Sequence, residues 1–103
     1  MAEWRKLAKV SEVESGSALA VEVDGREPIA IVNVDGQMYA IDDICTHADA
    51  SLCDGIVDGE EIECPLHFAR FNIKTGAVVA PPADRPLCTY PVRILGDDIE
   101  VEL

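Results

Sequence analysis

Two short groups of metal-ligand side chains stand out in this chain: Cys45-Thr46-His47 and, sixteen residues further on, Cys64-Pro65-Leu66-His67. Each couples one thiol to one imidazole. A thiolate is a soft, charged ligand and a neutral imidazole a borderline one. Four such donors suit either a tetrahedral zinc or an iron–sulfur centre. The familiar zinc-finger order puts two cysteines in one pair and two histidines in the other, whereas here both pairs are mixed. That mixing leaves both metals open on donor chemistry alone. His47 and His67 are the only histidines in the sequence. With both used as ligands, none remains for a Ser–His or Cys–His nucleophile. None remains either for an oxygen-activating iron held by two histidines and a carboxylate. There is no glycine-rich phosphate loop and no dinucleotide fingerprint. The expected chemistry is therefore that of a metal centre working with partners.

Such a centre needs a scaffold, and the rest of the sequence reads as β structure. Short β-branched runs alternate with turn residues: Trp4 to Val10, Ala18 to Val23, Ile29 to Val34, Gln37 to Asp42, Glu61 to Cys64, Ala69 to Ile73, Ala77 to Val79, Thr89 to Ile94 and Ile99 to Leu103. Asp35-Gly36 between two apolar runs is a strong hairpin signal, because the tight turn needs positive φ. Asp24-Gly25, Gly76 and Gly96 mark further turns. No window has a helical period. The fold class expected is all-β, an antiparallel sandwich or partly closed barrel, spanning residues 1–103 as one domain. Two stretches resist a strand reading, Asp43 to Gly55 and Pro65 to Phe68. Each carries one of the ligand pairs, so the ligand-bearing part is expected at about 43–69, on loops. A third irregular stretch, about 80–86, holds Pro81, Pro82 and Pro86. Proline fixes φ and removes a donor, so this is a stiff loop.

The formal charge is −12, from 20 acidic and 8 basic residues. Phosphate contacts need clustered Lys and Arg, so no nucleic acid is expected, and an anionic membrane surface is disfavoured for the same reason. From Glu27 to Ala69 there is no Lys or Arg, while Asp42, Asp43, Asp49, Asp54, Asp58 and Glu63 all fall there. Acid concentrates around the ligand loops and suits docking to basic protein surfaces. No run of about 18 apolar residues exists, so no spanning helix is expected. The mixed-charge start gives no apolar signal core, and a cytoplasmic protein is expected. In that compartment four cysteines point to metal rather than disulfides. Cys53 and Cys88 read as small half-buried thiols, and Trp4, Tyr39 and Tyr90 as packing residues.

Cys-x-His followed by Cys-x-x-His at this separation resembles the Rieske motif. Asp54-Gly55, Glu63, Phe71, Thr75-Gly76 and Tyr90-Pro91-Val92 add to the likeness, which is closest to Rieske ferredoxins of bacterial aromatic-ring dioxygenases and related oxygenases. The resemblance implies one [2Fe–2S] cluster, with Cys45 and Cys64 on one iron and His47 and His67 on the other. It implies a Rieske fold whose cluster-binding subdomain is formed by two loops, with the proline loop covering one side of the cluster. It implies a one-electron carrier between an NAD(P)H-dependent flavin reductase and a terminal oxygenase, docking transiently through the exposed histidine tip as a monomer, and not an enzyme in itself. Histidine ligation leaves the oxidised cluster near neutral and so raises its potential relative to a four-cysteine site. High-potential members carry an extra disulfide and hydroxyl donors to sulfur. Here Ala50, Leu66, Ala69 and Phe71 stand at the corresponding positions, which implies a potential near the bottom of the Rieske range. A small Rieske subunit of a nitrite reductase is the alternative function, and a zinc-stabilised interaction module is the reading from another class.

Overall fold

The computed structural model describes residues 3–46, 49–66, 68–81, 83 and 85–103. Its strands, in chain order, are β1 (Trp4–Lys9), β2 (Ala18–Val21), β3 (Ile29–Val34), β4 (Gln37–Asp42), β5 (Ile56–Asp58), β6 (Glu61–Glu63), β7 (Arg70–Asn72), β8 (Val78–Ala80), β9 (Thr89–Tyr90), β10 (Val92–Leu95) and β11 (Asp98–Glu102). They form three sheets, ordered β1-β11-β10, β2-β3-β4-β9 and β5-β6-β7-β8. Every pairing is antiparallel. Two 3₁₀ turns, Val10–Glu12 and Leu52–Asp54, complete the regular structure. Among the described residues no helix is long and apolar enough to cross a membrane.

The β2-β3-β4-β9 sheet is the middle layer, and β3 shows why. Its residues Ile29, Ala30, Ile31, Val32 and Asn33 are all buried. Side chains alternate across a strand, so a strand buried throughout must be covered on both faces. Ala30 and Val32 pack in one core with Ile41, Leu52, Ile62 and Phe71. Ile29 and Ile31 pack in a second core with Val13, Met38, Ile99 and Val101. The unbroken apolar run thus joins the β1-β11-β10 sheet on one side to the β5–β8 unit on the other. The one polar residue in it, Asn33, is satisfied: its Nδ2 donates to the Val13 carbonyl at 2.9 Å and its Oδ1 accepts the Gly36 N–H at 2.7 Å. That second bond also fixes the β3–β4 turn. Asp35 and Gly36 have φ of 51° and 89°, the two positive angles of a type I′ hairpin.

The expected strand boundaries differ from the structure at two places. The run Thr89 to Ile94 is two strands, because Pro91 has no N–H for a ladder. Before it, β9 pairs with β4; after it, β10 pairs with β11, so the chain changes sheets at the proline. The stretch ending at Gly55 is irregular as expected, but β5 follows at once and pairs with β6. The ligand loops therefore stand on a four-stranded sheet of their own. Ile56 is exposed, so β5 lacks the alternation that marks a half-buried strand.

Candidate metal centre

Cys45 and Cys64 are 19 residues apart in the sequence and adjacent in space. Both are buried, at 4% and 0% exposure, both are free thiols, and their side chains hydrogen-bond to each other. The two loops that begin with them are closed alike. The Cys45 N–H donates to the Ala50 carbonyl at 3.0 Å, and the Cys64 N–H to the Ala69 carbonyl at 2.7 Å. Each cysteine thus opens a six-residue loop that returns to a buried alanine. Ala50 and Ala69 lie in the same core as Cys45, Cys64, Leu52 and Phe71, so the loop bases are set in the packed interior while their tips point outward.

The tip of the second loop is apolar and exposed: Leu66 is 47% and Phe68 67% accessible. Phe68 takes φ of 63°, a left-handed conformation that is costly for a bulky residue and is held here by the loop around it. Behind the first loop lies the proline-bearing stretch. Thr46 Oγ1 donates to the Arg85 carbonyl at 2.8 Å, and Arg85 Nη2 donates back to the Thr46 carbonyl at 3.0 Å. Ala83 and Leu87 are buried in the same core as the two cysteines. The third loop is therefore fastened against the first at Thr46 and Arg85. His47, His67 and Pro82 lie outside the described residues.

The root of the first loop is also pinned. Asp43 is 2% exposed. Its carboxylate accepts Ser51 Oγ–H at 2.7 Å and the Cys53 N–H at 3.2 Å, and its carbonyl accepts the Leu52 N–H at 2.7 Å. Ile44 and Ser51 form an isolated antiparallel bridge just above. The sequence reading placed Asp43 among the acids available for docking; its burial removes it from that surface. Several of its neighbours are paired as well. Arg70 bonds Asp58, Glu61 and Glu63 at 3.1 to 3.3 Å, and Lys74 bonds Glu60 at 3.2 Å. Asp42 accepts the Tyr90 hydroxyl, which in turn accepts from Arg26 at 2.8 Å. Tyr90 is thus part of a polar cluster as well as packing. Trp4 carries the Arg93 guanidinium over its ring, 4.3 Å from the centroid. Cys53 is half-buried as expected, but Cys88, in the irregular stretch before β9, is exposed.

The donor chemistry fits a thiophilic metal. Burial pushes the Cys64 thiol above its ordinary range and the adjacent Cys45 adds to this, while the Leu66 N–H, donating to the Cys64 sulfur, works the other way. Packed against Cys45 in the interior, the Cys64 thiol resists ionising, because a bare thiolate there would lose its solvation. A bound metal removes that conflict, since a coordinated thiol is deprotonated outright. The Leu66 N–H is a backbone donor to sulfur, and with metal bound it would stabilise negative charge there.

Residues 3–91 match the Rieske [2Fe-2S] domain family. The chain is 40% identical to the ferredoxin component of the naphthalene 1,2-dioxygenase system of Pseudomonas aeruginosa, over 98% of this chain and 96% of that one. Its fold superposes on a Sphingomonas yanoikuyae B1 ferredoxin with a TM-score of 0.94 and 39% identity, covering 98% and 99% of the two chains. It superposes at 0.91, with 37% identity and coverage of 95% and 91%, on a chain from a complex of reduced oxygenase and oxidised ferredoxin in carbazole 1,9a-dioxygenase.

Proposed function

Since this chain belongs to the Rieske [2Fe-2S] family, we propose that it is the ferredoxin of a multicomponent oxygenase, passing one electron at a time to the terminal component of an aromatic-ring dioxygenase system. The observation that carries this reading is the juxtaposition of Cys45 and Cys64, buried side by side at the roots of two identically closed loops. It is joined to relatives that are dioxygenase ferredoxins over nearly their full length. The same relatives leave the nitrite-reductase alternative with weaker support.

The chain carries one Rieske-type cluster, which supplies reversible one-electron chemistry when bound. Cys45 and Cys64 would hold one iron of it and His47 and His67 the other. Each part of the chain around it has a separate task. The Ala50 and Ala69 carbonyls fix the cysteine backbone through neutral bonds that need no metal. Phe71, Leu52 and Ile62, all at 0% exposure, keep water from the sulfur side. Leu66 and Phe68 leave the second loop tip apolar and open, which supports docking through the histidine end and an electron path through the imidazoles. The remaining acids steer encounter with basic partner surfaces. The reading extends to a single domain over residues 1–103. That domain acts as a monomer in the cytoplasm, accepting electrons from an NAD(P)H-dependent flavin reductase.

Anaerobic purification with metal and sulfide analysis, followed by dithionite reduction and electron paramagnetic resonance, tests this directly. About two irons and two labile sulfides per chain, with a rhombic signal on reduction, are expected. One zinc per chain and no reducible chromophore would overturn it. Cys64→Ser should lose the cluster and Cys88→Ser should keep it.

A further inference from the structure

We propose that Asp43 is a positioning residue of the first cluster loop, and that its buried negative charge holds the cluster's reduction potential down. The inference rests on the cluster site proposed above and concerns a side chain that the ligand set does not use.

The carboxylate of Asp43 is nearly solvent-free, yet none of the eight Lys and Arg side chains, all of them among the described residues, pairs with it. Among the described residues its partners are dipoles: the Ser51 hydroxyl at 2.7 Å and the Cys53 N–H at 3.2 Å, with the Cys53 thiol as a third donor. All three come from the segment on which the first loop returns. The backbone repeats the tie, through Leu52 N–H to the Asp43 carbonyl at 2.7 Å and Asp43 N–H to the Pro28 carbonyl at 3.2 Å. The side chain therefore clamps the two legs of the loop directly below the Cys45–Ala50 closure and joins them to the start of β3.

Both oxygens accept from donors, Oδ2 from Ser51 and Oδ1 from the Cys53 N–H, a shell that suits the ionised carboxylate and that an amide, with one acceptor, would keep only in part, although burying a charge without a counter-ion is costly. What the charge adds is a field. Asp43 is two residues from Cys45, at most roughly 7 Å between α-carbons. At such range, and at the effective dielectric of a protein, a unit charge shifts a one-electron equilibrium by about tenfold. A fixed negative charge opposes the electron that enters on reduction. It acts in the opposite sense to histidine ligation, and in the same sense as the missing hydroxyl donors at Ala69 and Phe71.

Dye-coupled dithionite titrations of the cluster-loaded protein decide between clamp and charge. Asp43→Asn keeps an oxygen acceptor and removes the charge. It should move the reduction equilibrium about tenfold toward the reduced form, or about 59 mV for one electron, with unchanged paramagnetic resonance g values. Ser51→Ala leaves the charge and strips one compensating dipole, so it should move the equilibrium about twofold the other way. A purely structural clamp would shift both variants in one direction. Equilibria within twofold of the parent for Asp43→Asn, or a shift toward the reduced form in Ser51→Ala, would overturn the inference. If Asp43→Asn does not load, Ser51→Ala decides alone, and no shift there is also fatal. A parent protein without a reducible cluster would sink the cluster reading itself, whereas a normal parent with an unshifted Asp43→Asn sinks only the role of Asp43.

Discussion

Gly55 offers the sharpest test of how the cluster loops are packed. It follows the Leu52–Asp54 turn and precedes β5, with its back against the backbone of Glu63, the residue before Cys64. A Cβ placed there would lie 1.8 Å from the Glu63 carbonyl oxygen, 3.0 Å from its carbon and 3.2 Å from the Leu52 oxygen. Ordinary contact needs roughly 3.5 Å, so the two segments would have to separate by more than about 1.5 Å. No side-chain rotation relieves this, because the obstructing atoms are backbone. Glu63 is held on both sides, by Ile56 in β5 and Arg70 in β7. Overpacking that side chains absorb costs about 1–3 kcal/mol, so Gly55→Ala should cost at least about 3 kcal/mol. For a domain of this size that lowers the melting temperature by at least roughly 12 °C. Gly59→Ala is the control: φ is +60° but nothing lies within 4 Å, so only left-handed strain of about 1 kcal/mol remains. Melting of both variants and the parent, followed at one scan rate by circular dichroism and visible absorbance, gives the comparison. Gly55→Ala should also bleach first, since its strain reaches Cys64. If it melts within 3 °C of Gly59→Ala, the packing account of this loop is wrong.

Cys53 predicts a pH effect. Burial pushes its thiol well above the ordinary 9.0, with the hydrogen bond to Asp43 and the charges of Asp43 and Asp54 adding to this and Ser51 opposing it. The folded state therefore keeps a proton that the unfolded state releases above about pH 9. Its contribution to stability is full below that value and shrinks as pH rises, by less than about 1.4 kcal/mol per pH unit after solvent screening. Urea midpoints of the parent should fall faster between pH 9 and 10.5 than those of Cys53→Ala, and parallel curves would refute the assignment. For docking, electron delivery to an oxygenase partner should slow several-fold as salt rises from about 0.01 to 0.15 M, where the screening length drops from about 30 to 8 Å. A rate that stays flat across that range would show that the acids play no part in encounter.

Most of the scaffold was legible in the sequence because its signals are local. The Asp35-Gly36 turn, the alternating β4 and the unbroken apolar β3 each carry their structure in a few residues. Thr89 to Ile94 misled because β-branched composition outweighed one proline, although Pro91 is the point where the chain leaves one sheet for the next. β5 was missed because Ile56 faces solvent; the Asp58-Gly59 dipeptide before the Glu61 run was the available sign of a hairpin. At the site, ligand types and spacing singled out the two pairs as candidates, and the structure brings Cys45 and Cys64 together, but the sequence did not show what closes their loops. That signal was present as a repeat, Cys followed five residues later by Ala, at 45 and 50 and again at 64 and 69. It goes unnoticed because alanine carries no chemistry. The fate of the acids could not be read either. Whether Asp43 faces a partner or a half-buried serine depends on a bridge between Ile44 and Ser51, which no residue type announces.

The two cysteines and the two alanines together explain why the loops are built as they are. The Cys64 thiol sits where ionisation is unfavourable, and the adjacent Cys45 disfavours it further. The interior therefore tolerates the pair as thiols, or as thiolates only when a metal balances them. The backbone bonds at Ala50 and Ala69, by contrast, carry no net charge and need no metal. A loop fixed by neutral backbone bonds keeps its shape while the charge between its walls changes by one electron, so little of the protein has to move when the electron arrives or leaves. Larger residues at 50 or 69 would force the loop bases apart in a core where Ala69 and Phe71 have no exposed surface. The small side chains thus let the two loops converge closely enough to bring Cys45 and Cys64 side by side, as the proposed shared iron would require.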